Sequence, residues 1–357
     1  MKRKKISIKI GQFKIEEPGR VFIIAEAGVN HNGELKKALK LVDVAAEAGT
    51  DAVKFQTFRA EDVVLEQAPM AKYQETNLGK TMTQLEMIRS FELDENHWPK
   101  IIARCKAKNI LFLSTPHGGR RSVDLLESLG VVAYKIGSGD LNNYILLERV
   151  ARTGKPIILA TGMASLSEVK KAILYIRSKG NIQIIVLHAT TRYPCPPNDV
   201  NLRAMTTMMN TLDVLVGFSD HTDNDLSAIA ATALGAAVYE CHFTLDKDLP
   251  GPDHVASANP KELRQRIQSI RSTEVILGSK DKFPTKSERE TMIELVRKSL
   301  AYESDFPKGH LLAPKDLEAK RPADGISPIH YEKFLGRRLK KSVGKNQMVS
   351  HSDFERE

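Results

Sequence analysis

Short apolar segments recur along the chain, and the stretch after each of them has the apolar spacing of a helix. Eight such segments can be recognised, at 21–26, 52–56, 110–115, 131–137, 156–161, 182–188, 213–218 and 236–243. They are nearly continuous in apolar residues instead of alternating, which is typical of parallel strands covered on both faces. Eight strands that are each followed by a helix predict an α/β fold, the (β/α)8 or TIM barrel.

The predicted helices carry start and stop signals. Residues 165–168, SLSE, form a capping box in front of the periodic stretch VKKAILYI. Asn259 and Pro260 predict the start of the last barrel helix, which we expect to end near Gly278. The connection between the second and third strands is unusually long. Its polar part at 60–84 predicts a loop over the active site.

Beyond Gly278 the pattern changes to short strand-like pieces separated by Gly and Pro turns. We therefore predict a barrel domain with an N-terminal lead-in at 1–285, a linker at 286–294 and a small second domain at 295–357. The 357 residues suit a barrel of roughly 250 residues plus a module of about 60.

Composition narrows the class of protein. A hydrophobic content of 41% and a charged content of 27% are typical of a folded globular chain. We predict no membrane span, because no long apolar run occurs, and no secretory signal in the basic start MKRKKISIKI. The three cysteines have no CxxC spacing, which favours reduced thiols and a soluble cytoplasmic protein.

The net charge of +9 raises the question of nucleic acid. Lysines and arginines alternate with acids along the predicted helices, and aromatic residues make up only 6% of the chain. Both features are typical of a solvated surface, so we predict no nucleic-acid partner. A basic site for an anionic metabolite accounts better for the excess charge.

Polar side chains stand where each predicted strand ends, the position at which this fold gathers its catalytic groups. We expect the following residues to meet at one mouth of the barrel: Glu26, Lys54, Gln56, Thr115, Lys135, Ser138, Thr161, His188, Thr190, Asp220, His221 and His242.

Two pairs of these residues and one glutamate indicate particular kinds of chemistry. Lys54 and Lys135 lie in apolar strands, where an unpaired ammonium is costly, so we interpret them as ligands of a phosphate or carboxylate. His221 and His242 come from neighbouring strands and would reach one divalent metal while leaving positions open for substrate. Glu26 would move a proton or hold a sugar hydroxyl.

Two more features carry open interpretations. Glu240 shares the inward face of its strand with His242 and would support the metal site from behind. Residues 30–33, NHNG, suit either a turn with a helix cap or a ligand contact.

Several stretches then carry a resemblance to a known family. IAEAGVNHNG, DAVKFQTF, YQETNLG, YKIGSGD, GFSDHT and HFTLDKDLPGPDH resemble the N-acetylneuraminate (sialic acid) synthase family. That family includes related nonulosonic acid synthases such as legionaminic acid synthase. The resemblance runs from about residue 15 to residue 350, and the tail KGHLLAPKDLEAKRPADGISP is similar to the family's antifreeze-like (SAF) domain.

The resemblance implies a metal-dependent condensation of phosphoenolpyruvate with an N-acyl-mannosamine-type aldose. The products would be a nine-carbon 2-keto sugar acid and phosphate. It implies a domain-swapped homodimer and a divalent ion, Mn2+ before Mg2+ or Co2+, on His221 and His242. It also implies that phosphoenolpyruvate is held by Lys54, Thr115, Lys135 and Ser138. The acceptor sugar would be bound by Glu26, Asn77, Tyr193 and Asp253, and Gln56 and Thr191 are further substrate-binding candidates. Arg321 of the partner's tail domain would contact the N-acyl group.

Three positions depart from the family pattern. Ala160 stands where a phosphate-binding Ser is frequent, Thr191 where Asn or another small polar residue is expected, and His117 where a Phe is usual. Because they cluster near the substrates, the departures leave the acceptor open among N-acetylmannosamine, its 6-phosphate and a di-acetamido trideoxy hexose.

Two other classes of function are alternatives to the synthase. A Schiff-base pyruvate aldolase would use Lys135 or Lys54 as an amine nucleophile and would need no metal. A non-catalytic carbohydrate- or ice-binding protein would draw on the tail alone. The paired histidines count against the aldolase, and the charged barrel mouth counts against a binding protein.

Overall fold

The computed structural model describes residues 6–70, 75, 78 and 82–355. The chain divides into two compact units, Met1–Gly278 and Ser279–Glu357. The predicted limits at 285 and 295 stay predictions. Over the predicted linker the chain forms two short helical segments, a π-helical turn at Glu288–Met292 and the α-helical turn Ile293–Val296.

The first unit begins with an antiparallel hairpin that the sequence analysis missed. Its strands are β1 (Ser7–Ile10) and β2 (Phe13–Glu16), joined at Gly11, whose φ of 56° is left-handed. The hairpin buries Ile8, Ile10 and Ile15 against inward residues near the starts of the barrel strands. It therefore closes the amino-terminal end of the barrel with apolar side chains and leaves the other end for chemistry.

Eight parallel strands follow, and each lies within or overlaps one predicted segment, so the predicted barrel is confirmed. The strands are β3 (Phe22–Gly28), β4 (Ala52–Thr57), β5 (Leu111–Pro116), β6 (Tyr134–Ile136), β7 (Ile157–Ala160), β8 (Ile184–Ala189), β9 (Leu215–Asp220) and β10 (Val238–His242). They pair in the order β5-β4-β3-β10-β9-β8-β7-β6, and β5 and β6 at the two ends of this order contact each other.

Helices connect and cover these strands. In chain order they are α1 (Leu35–Ala48), α2 (Ala60–Val63), α3 (Gln84–Ser90), α4 (Trp98–Ala107), α5 (Gly119–Ser128), α6 (Tyr144–Ala151), α7 (Leu166–Ser178), α8 (Arg203–Thr211), α9 (Leu226–Ala233) and α10 (Pro260–Leu277). The predicted capping box at Ser165 and Glu168 is present, and Asn259 caps α10 by accepting from two backbone N–H groups.

The second unit has a small core of its own. It contains α11 (Ile293–Val296) and the antiparallel strands β11 (Ser299–Tyr302) and β12 (Leu317–Lys320). The core is made of Leu300, Tyr302, Leu312, Phe334, Leu339, Val343, Val349 and Phe354. Across the described part of both units, no helix is long and apolar enough to cross a membrane.

Candidate active site

A cavity of about 340 Å³ lies at the carboxyl ends of the barrel strands. It brings together most of the predicted site residues, namely Glu26, Lys54, Gln56, Thr115, Lys135, Ser138, Thr191, Tyr193, His221, His242 and Asp253. Asn77 lies outside the described residues. Arg321 belongs to the second unit, where it is exposed and its Nε donates to the Val296 carbonyl at 3.0 Å.

Four buried charges form the floor of this cavity. Lys54 Nζ lies 2.5 Å from Glu26 Oε2 and 3.8 Å from Glu240 Oε2. Lys135 Nζ lies 3.2 Å from Glu240 Oε1. None of these four side chains exposes more than 4% of its surface. Two ammoniums with two carboxylates have no net charge, which is what makes their shared burial tolerable.

Strand register explains why these charges meet. Glu26 on β3 is paired in register with Lys54 on β4 and with His242 on β10. Glu240 precedes His242 by two positions and therefore points to the same inward face. Lys135 reaches Glu240 from β6 across the inside of the barrel.

Three hydroxyl groups line the same cavity as the ammoniums. Lys54 Nζ donates to Thr115 Oγ1 at 3.2 Å, and Ser219 Oγ donates to Glu240 Oε1 at 3.1 Å. Ser138 Oγ accepts from the Gly162 N–H at 2.9 Å. Ser219 was not predicted, although its position two residues before His221 on the same strand run would have indicated it. The floor thus offers cations and hydroxyls of the kind that bind phosphate and carboxylate groups.

The pKa values of the cluster follow from burial and pairing. Burial alone would raise the pKa of Glu240, but Lys135 and Lys54 outweigh it and lower that pKa to about 2. Burial raises the pKa of Glu26, with Lys54 opposing the shift. Burial also lowers the pKa of Lys135, with Glu240 opposing it. Glu240 is therefore the fixed anion of the cluster at any working pH.

His221 and His242 lie side by side above this floor, with ring centroids 5.6 Å apart. Burial is the main cause that lowers the pKa of both histidines to about 4. The neighbouring His242 also lowers the pKa of His221, and Lys54 also lowers that of His242. Both rings are neutral near pH 7, the form in which imidazole binds a metal. The Tyr193 ring packs 4.2 Å from His221 and 5.6 Å from His242.

Hydrogen bonding leaves both rings available. His221 Nδ1 lies 2.6 Å from the Thr190 carbonyl, so it carries the proton and Nε2 keeps its lone pair. His242 Nδ1 is buried and has no hydrogen-bond partner in the described part of the chain. Within the same residues, no group of three or more His, Cys, Asp or Glu is arranged around a metal position. A metal here would rely on two histidines and on non-protein ligands.

Further polar groups line the cavity beside the histidines. Gln56 Nε2 donates to Glu26 Oε1 at 3.1 Å. Burial, and then the charge of Glu26, raises the pKa of Asp253 to about 6. Asp253 consequently exchanges its proton near neutral pH, and Glu26 and Asp253 together present carboxyl oxygens to a polar ligand.

One wall of the cavity is apolar, which the sequence analysis did not foresee. It consists of Phe58, Val63, Met87, Ile88 and Phe91, contributed by the long connection between β4 and β5. The polar loop was predicted at 60–84, and of the five wall residues only Val63 lies in that range. The spacing of Met87, Ile88 and Phe91 at i, i+1 and i+4 is that of one helix face and would have indicated the wall.

Four polar residues expected at the mouth do not line the cavity, so this part of the expectation is wrong. The Thr161 hydroxyl donates to Leu187 O and that of Thr190 to Asp199 O. The His188 ring lies 2.7 Å from Val200 O. Asp220 accepts from the Tyr239 hydroxyl at 2.7 Å. These side chains fix the βα loops, because alternate residues of a strand face away from the barrel interior.

The segment NHNG at 30–33 has a structural role. Asn30 Nδ2 donates to Phe243 O, and Asn32 Nδ2 donates to Pro250 O. His254 Nε2 lies 3.0 Å from Asn32 Oδ1. The segment therefore holds the loop after β10, and with it Asp253, against the end of β3.

Comparison with known proteins identifies the family. Residues 41–282 match the model of the NeuB family, and residues 297–355 match that of the SAF domain. The chain belongs to the NeuB family. The predicted family and the predicted C-terminal SAF domain are confirmed, and the chain is an enzyme of the sialic and nonulosonic acid synthase type.

Individual relatives agree with this assignment. The N,N'-diacetyllegionaminic acid synthase of Campylobacter jejuni is 43% identical and covers 92% of this chain and 99% of its own length. The enzyme of the same name from Legionella pneumophila is 42% identical, with 89% and 90% covered. The crystal structure of N-acetylneuraminic acid synthetase from Leptospira borgpetersenii, in complex with citrate, is 33% identical. It covers 82% of this chain and 97% of its own, with a TM-score of 0.71.

The buried pairing of Glu240 with Lys54 and Lys135 predicts a loss of stability when its charge is removed. Glu240→Gln leaves two buried ammoniums with one carboxylate, so the free energy of unfolding at pH 7 should fall by about 3–5 kcal/mol in urea titrations. Because the folded pKa of Glu240 is about 2, below the ordinary 4.5, its contribution is complete above pH 4.5. The gap between wild type and variant should narrow as the pH falls towards 2. Equal stability at pH 7 would contradict the role given to Glu240, and Asp124→Asn on the outer surface is the control.

Proposed function

We propose that the protein condenses phosphoenolpyruvate with an N-acyl-mannosamine-type aldose, giving a nine-carbon 2-keto sugar acid and phosphate. Membership of the NeuB family and the names of the relatives support this proposal. The observation that carries it is one cavity that holds both a buried ammonium pair and a neutral histidine pair. The first suits an anionic enol phosphate, and the second suits a metal-bound carbonyl oxygen.

Lys54 and Lys135 would bind phosphoenolpyruvate together with Thr115 and Ser138. Glu26 and Glu240 hold the two ammoniums at 2.5 and 3.2 Å. Each ammonium has three N–H donors, so it could bind the phosphate or carboxylate group of phosphoenolpyruvate while it stays paired with its glutamate. Because the carboxylates orient the ammoniums, the entropy cost of binding phosphoenolpyruvate would be reduced.

His221 and His242 would hold one divalent ion, with Mn2+ expected before Mg2+ or Co2+. The residues fit such an ion, because both rings are neutral and the proton on His221 Nδ1 leaves Nε2 free. The bound ion would act as a Lewis acid that polarises the aldehyde oxygen of the acceptor. With two protein ligands, the site would be exchangeable and would leave positions for substrate and water.

The reaction joins the C3 methylene of phosphoenolpyruvate to the aldehyde carbon of the open-chain sugar. Water then adds at C2, and phosphate leaves with cleavage of its bond to C2, so that C2 becomes the ketone. Glu26 and Asp253 would bind acceptor hydroxyls with Gln56 and Tyr193. Asp253, with a pKa of about 6, can accept or return a proton at this end of the cavity.

The apolar wall favours one of the three acceptors left open by the sequence. Phe58, Met87, Ile88 and Phe91 offer carbon contacts where a fully hydroxylated or phosphorylated sugar would lose its hydration. A di-acetamido trideoxy hexose has a methyl group for such a surface. Two relatives named N,N'-diacetyllegionaminic acid synthase are consistent with this choice.

We also propose a domain-swapped homodimer in which the partner subunit's Arg321 binds the N-acyl group. The guanidinium is exposed and uses one N–H within its own unit, so donors remain for a ligand. A planar donor set suits an acyl oxygen better than the point charge of a lysine.

An assay of phosphate release tests the reaction and the acceptor. With phosphoenolpyruvate and Mn2+, the di-acetamido trideoxy hexose should give a kcat/KM at least about tenfold above N-acetylmannosamine or its 6-phosphate, the size expected for matching an apolar group to an apolar wall. Lys135→Met should raise the KM for phosphoenolpyruvate and leave that for the sugar. No release with any of the three sugars would refute the condensation. Covalent trapping by borohydride would favour the Schiff-base aldolase.

Metal dependence gives the next prediction. EDTA should abolish turnover, and Mn2+, Co2+ or Mg2+ should restore it. His221→Ala and His242→Ala should each lose Mn2+ binding, measured by equilibrium dialysis, while circular dichroism stays that of wild type. His188→Asn, in which an amide replaces a ring outside the cavity, is the control and should keep the metal. Full activity of a metal-free preparation would exclude this role for the two histidines.

Subunit mixing tests the shared site. His221→Ala and Arg321→Ala chains should each be nearly inactive as homodimers. In a swapped heterodimer, half of the sites combine an intact barrel with an intact tail, so activity should return in part. The measurement is phosphate release after subunit exchange has been shown by mass spectrometry. An exchanged mixture that stays inactive would count against the swapped arrangement.

A further inference from the structure

His117 lies at the phosphoenolpyruvate end of the cavity, and none of the roles proposed above uses it. It follows β5 directly, and its N–H donates to the Thr115 carbonyl at 3.0 Å, which turns the chain back over the strand end. The side chain lines the cavity and is 30% exposed. A ligand in the cavity can therefore reach the imidazole without any rearrangement of the loop.

The ring is packed on the backbone between two of the proposed phosphate ligands. A methyl group added at Gly137 would lie 3.3 Å from His117 Cε1 and 3.9 Å from Nε2. The same point is 4.0 Å from the Thr115 side chain. Gly137 stands two residues after Lys135 and one before Ser138, so the edge of the ring that carries Nε2 lies among the groups proposed to hold the phosphate.

Asp140 fixes the direction of the ring from the other side. His117 Nδ1 lies 3.6 Å from Asp140 Oδ2, and Asn143 Nδ2 donates to Asp140 Oδ1 at 3.0 Å. Asn143 in turn caps α6 by accepting from the Leu146 N–H. Burial would raise the pKa of Asp140, but His117 and Asn143 outweigh it and lower that pKa. The helix cap thus orients an ionised carboxylate, which faces Nδ1 and leaves Nε2 to the cavity.

We propose that His117 is a phosphate ligand of this site, donating from Nε2 to a phosphate oxygen, and that Asp140 is its positioning residue. The inference rests on the proposed function, whose substrate and product both carry the phosphate group. Asp140 stands on the Nδ1 side of the ring, so Nε2 is the nitrogen that can donate to a phosphate oxygen. The acceptor sugar is a poorer candidate partner, because the ring lies beside Gly137 and near Thr115, at the end of the cavity proposed for the phosphate.

Calorimetry of inorganic phosphate binding to the Mn2+-loaded enzyme tests the inference without requiring turnover. His117→Phe keeps a ring and removes both N–H groups, and its Kd for phosphate should rise about tenfold, the value of one hydrogen bond to a charged group. His117→Gln retains a donor and should recover part of that loss. The KM for phosphoenolpyruvate should follow the same order, while the KM for the sugar stays unchanged.

Asp140→Asn should also raise the Kd for phosphate, but by less than His117→Phe does. In the His117→Phe background it should add nothing, because a positioning residue acts only through the group that it positions. Asp124→Asn is the matched control. Asp124 pairs with Arg149 at 2.6 Å on the outer surface, and its loss should leave the Kd unchanged.

The outcomes distinguish a failure of the phosphate-ligand role of His117 from a failure of the proposed function. A phosphate Kd within twofold of wild type in His117→Phe would overturn the inference, as would an equal rise in the KM for the sugar. Full additivity of the two variants would overturn the positioning role of Asp140. A wild-type enzyme that binds phosphate but releases none from phosphoenolpyruvate with any sugar would instead refute the proposed function.

Discussion

Two lysine ammoniums buried inside a barrel need two carboxylates beside them, and the rest of the site is arranged around this requirement. Lys54 on β4 and Lys135 on β6 reach Glu26 and Glu240 at 2.5 and 3.2 Å. An unpaired charge at this depth would cost several kcal/mol or would lose its proton. Strand register must therefore be correct for the site to exist, because a slip of one residue would turn each charged side chain out of the interior.

The barrel strands run from an apolar end to an end that carries the charged and polar side chains of the site. On β3 the inward Ile24 belongs to the apolar base, and Glu26, two residues later, belongs to the site. On β5 the same step leads from Leu113 to Thr115. The N-terminal hairpin covers the apolar base with Ile10 and its neighbours. Water is thereby excluded below the charged floor, which strengthens every electrostatic interaction above it.

The charged floor also influences the protonation state of the two histidines. After burial, Lys54 is the largest cause that lowers the pKa of His242, and His242 contributes to the low pKa of His221. The cations that suit an enol phosphate thus help to keep both rings neutral and able to bind a metal. The cavity joins this polar floor to an apolar wall, so one pocket offers both charged and carbon surfaces.

The sequence by itself determined the barrel, its eight strands, the helix caps and the polar strand ends that include Lys54, Lys135 and His221. These features follow from local periodicity and from the rule that parallel strands end on one side. The tertiary structure alone showed that Glu240 holds both lysines and that the hairpin closes the base. It also separated Asp220, which accepts from Tyr239, from the adjacent His221 in the cavity. Each of these depends on contacts between residues far apart in the chain, and no local pattern encodes which distant side chain will be the partner.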